Sequence, residues 1–271
     1  MIEDYMSNDH AARKAQTKTL FNTVCPDYDS GPGCFAHFGR RLVEVANVNP
    51  GAHVLDIAAG RGAVLFPVAE RVGTGGEVVG IDLADAMAHA TSEEAASRGL
   101  KARVNVMDAE KLTFPDASFD CVTCGFGIMF LPDQDRGLAQ MRRVLKPGGC
   151  LALSTWRVTQ GDALHPVLNA IGIPPSRNPG WITEPDILEA LIRRNGFTGI
   201  SVKIDSMDFR YADAEEVWQQ GRGTGQRRIL DTLDATQKKH ALSLLTERMK
   251  PHQRHDGYYI TATALLAVAN R

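Results

Sequence analysis

The chain has 271 residues, 44% of them hydrophobic, enough for one α/β domain with additions and a sizeable core. A formal net charge of −2 and a pI near 6.4 supply no general attraction to nucleic acid or to an anionic membrane, and argue against partners of those kinds. No apolar run reaches bilayer-spanning length, residues 1–18 lack the apolar stretch of a secretory signal, and five scattered cysteines form no dense framework; the expectation is a cytoplasmic protein with reduced thiols.

In chain order, helices are expected over Arg13 to Val24 and Phe35 to Ala46, joined by a Cys25-to-Cys34 loop containing Asp27, Asp29, Ser30, Gly31, Pro32 and Gly33. Asn49-Pro50-Gly51 makes a turn before Val54-Leu55-Asp56-Ile57, a short apolar run with branched side chains, as a strand covered on both faces requires. Gly60-Arg61-Gly62 follows Ala58-Ala59 as a glycine turn opening a helix, and lets the backbone approach a ligand closely where a Cβ would intrude. Val78-Val79-Gly80-Ile81-Asp82 is a second strand ending in a carboxylate, 26 residues beyond Asp56. That spacing is one strand-helix-strand unit, and the position is that of a ribose-reading acid in nucleotide-binding folds. The turn departs from the dinucleotide fingerprint, since the first glycine position is Ala58 and the acid Asp56 would repel a phosphate. A ligand with an ammonium and a ribose but no pyrophosphate suits it, which describes S-adenosylmethionine and disfavours a nicotinamide oxidoreductase.

Asn105 to Glu110 reads as a third strand ending in an acid, and Ser118 to Cys124 as a fourth. Cys121 and Cys124 form a C-x-x-C, but residues three apart on a strand face opposite ways, so they are expected to be two small buried residues. Arg142-Arg143-Val144-Leu145-Lys146-Pro147-Gly148-Gly149 ends a helix with a basic last turn before a fifth strand, Cys150 to Thr155. The helices between strands are expected to begin near Gly62, Asp85 and Asp133. Residues 157–182, with His165, Pro174-Pro175 and Trp181, read as a mobile or ligand-facing insert. Thr183 is placed as the cap of a helix through Arg194, ahead of a sixth strand near Ser201 to Tyr211. Helices then occupy 212–252, interrupted by Gly221-Arg222-Gly223-Thr224-Gly225, and Tyr258 to Val268 is the last strand.

These motifs, in this order and spacing, make residues 20–156 resemble a class I S-adenosylmethionine-dependent methyltransferase. Leu20 to Asp29 and Gly125 to Asp133 are similar to segments of the subgroup that includes ubiquinone and menaquinone C-methyltransferases. The resemblance implies a Rossmann-like, seven-stranded, mostly parallel sheet with helices on both faces, ending in a reversed hairpin, with a helical insert before the last strand roofing the site. It implies three parts: an N-terminal helical cap at 1–48, a cofactor-binding half at 49–156 and an acceptor-binding half at 157–271. The cap would fold over the cofactor, with Tyr28 matching an aromatic that helps close it.

The roles expected of single residues follow. Asp82 accepts from the ribose hydroxyls, Leu83 and Met87 touch the adenine, and Asp108 accepts from its amino group while the Ala109 N–H faces a ring nitrogen. Asp56, Ala58, Gly60 and the Phe126 backbone surround the methionine portion. Methyl transfer needs alignment, exclusion of water and, for some acceptors, removal of a proton. Similar O-methyltransferases carry a His pair where this chain has Met129-Phe130, so that base is absent and Met129 belongs to an apolar acceptor pocket with Trp181. His165, His37, His252 and His255 remain as possible bases, with His165 preferred. Arg222, Arg227 and Arg228 could hold an acidic acceptor. The reading is methyl transfer to an oxygen or carbon of a small hydrophobic metabolite, without a metal and with a homo-oligomer left open. The alternative is a cyclase or isomerase that binds the cofactor on this scaffold without using its methyl group.

Overall fold

The computed structural model describes residues 9–157, 163–173 and 181–271. Eight strands form one sheet in the order β3-β2-β1-β4-β5-β8-β6, with β7 (Gln253–Arg254) paired to β8 off that path. The strands are β1 (His53–Ile57), β2 (Glu77–Asp82), β3 (Ala102–Val106), β4 (Phe119–Gly125), β5 (Leu145–Trp156), β6 (Thr198–Tyr211) and β8 (Gly257–Asn270). The first five are parallel, and β8 runs antiparallel between β5 and β6. A mostly parallel sheet of seven main strands with β8 reversed between β5 and β6 is the expected architecture; β7 adds a two-residue bridge.

Both faces of the sheet are covered, which is why β1 is buried at four successive positions after His53. One face packs against α2 (Cys34–Ala46) and α3 (Leu65–Val72), the other against α5 (Gln134–Val144) and α7 (Pro185–Arg194). Cys121 lies in the first layer and Cys124 in the second, as the two-residue strand period requires. Phe38, fully buried on α2, meets Phe126, Trp156 and Phe209 with ring centroids 6.0, 5.7 and 6.0 Å away. Burial of such a ring contributes about 1.5–3 kcal/mol, and it seats Phe35, one turn earlier, over the sheet edge.

Several helix starts differ from expectation. α3 begins at Leu65 because the glycine turn runs on: Gly62 takes φ +82°, and a Cβ there would lie 2.4 Å from the Phe66 ring. α4 (Asp85–Ser97) does begin at Asp85 as expected, though Ala84 and not Asp85 is its cap residue, its N–H held by Asp82. Glu184 and not Thr183 precedes α7, with Pro185 preset for its first turn. Asp133 does cap α5, accepting from the Arg136 N–H at 2.9 Å.

α1 (His10–Val24) crosses the C-terminal edge of the parallel strands, where Lys18 pairs with Asp85 at 2.9 Å and Asn22 accepts from the Ala86 N–H at 3.0 Å. α6 (Leu164–Ala170) follows β5, so the described part of the 157–182 segment is a helix and its flanks; Pro174-Pro175 lie outside the described residues. Between β6 and β8 stand α8 (Ala214–Arg222), α9 (Arg227–Leu230) and α10 (Ala235–Met249). α8 runs on through Gly221, and α10 starts with a reciprocal Asp234–Gln237 cap. Among the described residues no helix is long and apolar enough to cross a membrane.

Candidate functional site

The carboxyl ends of a parallel sheet, where the chain turns from strand to helix, form a crevice by construction. Here that crevice is a cavity of about 370 Å³ roofed by α1, α6, α8 and the segment leading into α9. Two residues of its floor, Ala58 and Phe126, hold left-handed backbone at φ 53° and 54°, a conformation L residues resist and which concentrates at functional sites.

Asp82 closes β2 and lines the cavity, 9% exposed. Its Oδ2 accepts from the Gly60 N–H and its Oδ1 from the Ala84 N–H, both at 2.9 Å, so it clamps the glycine turn to the start of α4. Burial raises its pKa against the opposing pull of these backbone donors. Gly60 is pinned further by Thr91, whose hydroxyl donates to the Gly60 carbonyl at 2.6 Å.

Asp56, the penultimate residue of β1, is 1% exposed. The Thr123 hydroxyl donates to its Oδ1 at 2.7 Å, while Oδ2 has no hydrogen-bond partner. Burial pushes this carboxyl up to about 7 despite the Thr123 bond, and the nearby Asp82 adds to the shift. Asp56 lines a separate void of about 20 Å³ shared with Tyr28, Gly60 and Phe126, beside the main cavity. An orphaned buried carboxylate oxygen there is suited to a cationic group.

At the β3 end, Lys14 of α1 reaches Asp108 Oδ2 at 2.8 Å and Glu110 Oε2 at 2.5 Å. Burial opposes the Lys14 charge, but hydrogen bonds to both acids outweigh it and raise the pKa. Glu110, 3% exposed, also accepts from the Asp133 N–H at 2.9 Å, and Asp108 Oδ1 accepts from the Glu110 N–H at 2.9 Å. Lys14 was absent from the sequence reading, and Glu110 entered it only as the end of a strand that in fact stops at Val106; nothing local in the sequence announces an ion pair that joins α1 to the chain beyond β3.

The middle of the cavity has aromatic walls. Tyr28 stacks on Phe35 at 4.9 Å and Phe126 on Trp156 at 4.1 Å, with Phe35 edge-on to both Phe126 and Trp156. Burial pushes the Tyr28 phenol far up, so it stays neutral.

Of the residues proposed from sequence, Tyr28, Ala58, Gly60, Asp82, Leu83, Asp108, Ala109, Phe126, Met129, His165 and Trp181 line the main cavity. The His165 ring stands edge-on to Trp181, 6.0 Å between centroids. Other proposed residues do not line it, and Asp56 borders only the adjoining small void. Met87 is fully buried beneath α1 with Val24, Cys25 and Ala84, because it falls on the face of α4 that packs against that helix. Arg222 turns outward to Asp231 at 2.9 Å, and Arg227 joins Asp231 and Asp27 at 3.1 and 2.7 Å; Arg228 is the arginine of that run that faces the cavity. His37, His252 and His255 are not among the lining residues. Among the described residues, no group of His, Cys, Asp and Glu is arranged to hold a metal ion.

The sequence model of the ubiE/COQ5 methyltransferase family matches residues 10–161. Nocamycin O-methyltransferase of Saccharothrix syringae is 43% identical over 137 residues, 50% of this chain and 49% of the relative. Aklanonic acid methyltransferase DauC of a Streptomyces species is 42% identical over 144 residues, 52% of this chain and 66% of the relative. The chain thus spans between about half and two thirds of the length of these relatives. Among solved structures, the YcgJ protein of a Bacillus species shares the fold, with a TM-score of 0.60 at 22% identity over 87% of this chain and 98% of that one.

Proposed function

The chain belongs to the ubiE/COQ5 methyltransferase family, and from that premise we propose that it transfers the methyl group of S-adenosylmethionine to an oxygen or carbon nucleophile of a small hydrophobic metabolite. The observation that carries this reading is Asp56: a buried carboxyl with one unpartnered oxygen, bordering a small void beside the aromatic-walled cavity that Asp82 lines. A cationic amino acid end and a ribose suit that pair; a pyrophosphate does not.

When bound, the cofactor supplies a sulfonium-activated methyl group. Asp82 would accept from the ribose hydroxyls with the lone pairs its two backbone bonds leave, and Asp108 from the adenine amino group, with Leu83 and Ala109 against the ring. Asp56, Gly60 and the Phe126 backbone hold the methionine end. Tyr28, Phe35, Phe126 and Trp156 exclude water from the reacting centre, which strengthens every electrostatic contact there. Met129 and Trp181 bound the acceptor, and His165 is the base for an acceptor that must lose a proton. A cavity of about 370 Å³ supports a small acceptor over a folded protein or duplex, which would need an open surface.

The test is a screen of phenols, quinols, prenyl compounds and aromatic acids, with RNA, DNA and protein extracts alongside, using methyl-labelled cofactor. Label in small molecules supports the reading and label mainly in macromolecules refutes it. Conversion of an acceptor while the bound cofactor keeps its methyl would favour a cyclase or isomerase.

A further inference from the structure

Charge along the cavity is segregated. At the end formed by β1, β2 and β3 the lining acids are Asp82, Asp108 and Glu110, with Lys14 and Lys18 contributed by α1. Elsewhere along the cavity the lining Arg and His residues are Arg157, which follows β5, His165 of α6 and Arg228 of α9, and no Asp or Glu lines it there among the described residues. We propose, building on the methyltransferase reading, that the acceptor is a planar aromatic anion whose acidic oxygen is held by Arg157 and Arg228.

Four other polar side chains of this part of the cavity are committed to the protein. Tyr211 donates to Gln220, the Thr261 hydroxyl donates to Asp208 at 2.6 Å, Thr263 pairs with Ser206 at 2.9 Å, and the Thr224 hydroxyl donates to the Gly221 carbonyl at 2.8 Å. Arginine differs because a guanidinium carries five N–H donors, so one protein partner does not exhaust it, and its planar fork matches a carboxylate or enolate. Arg157 is also fixed at its backbone, its N–H donating to the Thr263 carbonyl at 2.9 Å on the neighbouring strand. Both residues are half-buried, where a charge-assisted bond loses less to solvent than at an open surface. Phe35, Trp156 and Trp181 supply flat apolar surface for the body of the same ligand.

The assignment accounts for the absence of a His pair at Met129-Phe130. An acceptor that enters ionised needs no enzyme base. Its oxygen lone pair forms the new C–O bond as the methyl–sulfur bond breaks, the bonding pair stays on sulfur, and no proton moves.

The experiment compares calorimetric binding of 2-naphthoate and its uncharged isostere 2-naphthamide to the wild-type chain, Arg228→Gln, Arg228→Lys and Arg157→Gln, each with and without S-adenosylhomocysteine. The wild type should prefer naphthoate by about tenfold or more, as one charge-assisted bond implies. Either Gln variant should shrink that preference while leaving naphthamide and S-adenosylhomocysteine affinities unchanged, and Arg228→Lys should keep part of it. Equal binding of the two probes by the wild type, or equal weakening of both by the variants, overturns the proposal. Failure to bind S-adenosylhomocysteine counts against the methyltransferase reading alone, since the preference between the two probes is still read without it.

Discussion

Replacing Asp56 by Asn tests whether the buried carboxylate is kept for a ligand at the expense of stability. An unfolded aspartate ionises near 3.8, whereas burial holds Asp56 at about 7. Between those values the folded chain retains a proton that the unfolded chain has released, so stability falls as pH rises through the window and stays reduced above 7. At about 1.4 kcal/mol per pH unit, the wild type loses roughly 4 kcal/mol between pH 4 and pH 8 from this group. Asn keeps an acceptor for the Thr123 hydroxyl and carries no charge, but places an unpartnered N–H₂ where Oδ2 stands, which costs about 1–3 kcal/mol. Asp56→Asn should therefore be more stable than the wild type by about 1–3 kcal/mol at pH 8 and no more stable at pH 5. Urea unfolding of both proteins at the two pH values reads this directly, and calorimetry at pH 8 should show S-adenosylmethionine bound about tenfold to a hundredfold more weakly by the variant. A stability difference that does not change with pH would refute the buried-charge argument. Unchanged affinity in a folded variant would refute the placement of the ligand's ammonium.

Asp82→Ala removes the acceptor of both the Gly60 and Ala84 N–H groups; cofactor affinity should fall about tenfold to a hundredfold for each ribose bond lost, read by calorimetry with the fold checked by circular dichroism. Gly62→Ala forces a Cβ to within 2.4 Å of the Phe66 ring at φ +82°, so unfolding should shift by about 1–3 kcal/mol toward the unfolded state. Arg222→Ala breaks an exposed pair with Asp231 outside the cavity, and should change neither acceptor KM nor stability beyond about 0.5 kcal/mol. Cys150 is the one cysteine of the five that is not buried, and its hydrogen bond with Cys121 lowers its pKa, so maleimide followed by mass spectrometry should find it labelled first.

What the sequence determined by itself is the part of the fold encoded over short range. Short, largely apolar runs such as Val54 to Ile57 mark strands that must be covered on both faces, and the glycines after them mark turns whose backbone a side chain would block. Asp56 and Asp82 were legible because an acid at or next to the end of such a strand stands at the crevice. Even the opposite burial of Cys121 and Cys124 follows from a two-residue period. Direction and partnership were not legible, because they are set by residues far away in the chain. Met87 and Leu83 are four apart near the start of α4, yet only Leu83 meets the cavity, since α1 covers the face that carries Met87. Arg222 and Arg228 flank the same glycines, and it is the turn between α8 and α9 that sends the first to Asp231 and the second inward. Lys14 meets Asp108 across a separation of 94 residues, and Cys150 lies opposite Cys121 only because β5 pairs with β4. The tertiary structure also decided that one Asp56 oxygen would have no protein partner, since whether a buried carboxylate is satisfied depends on every element packed around it and not on its neighbours in sequence.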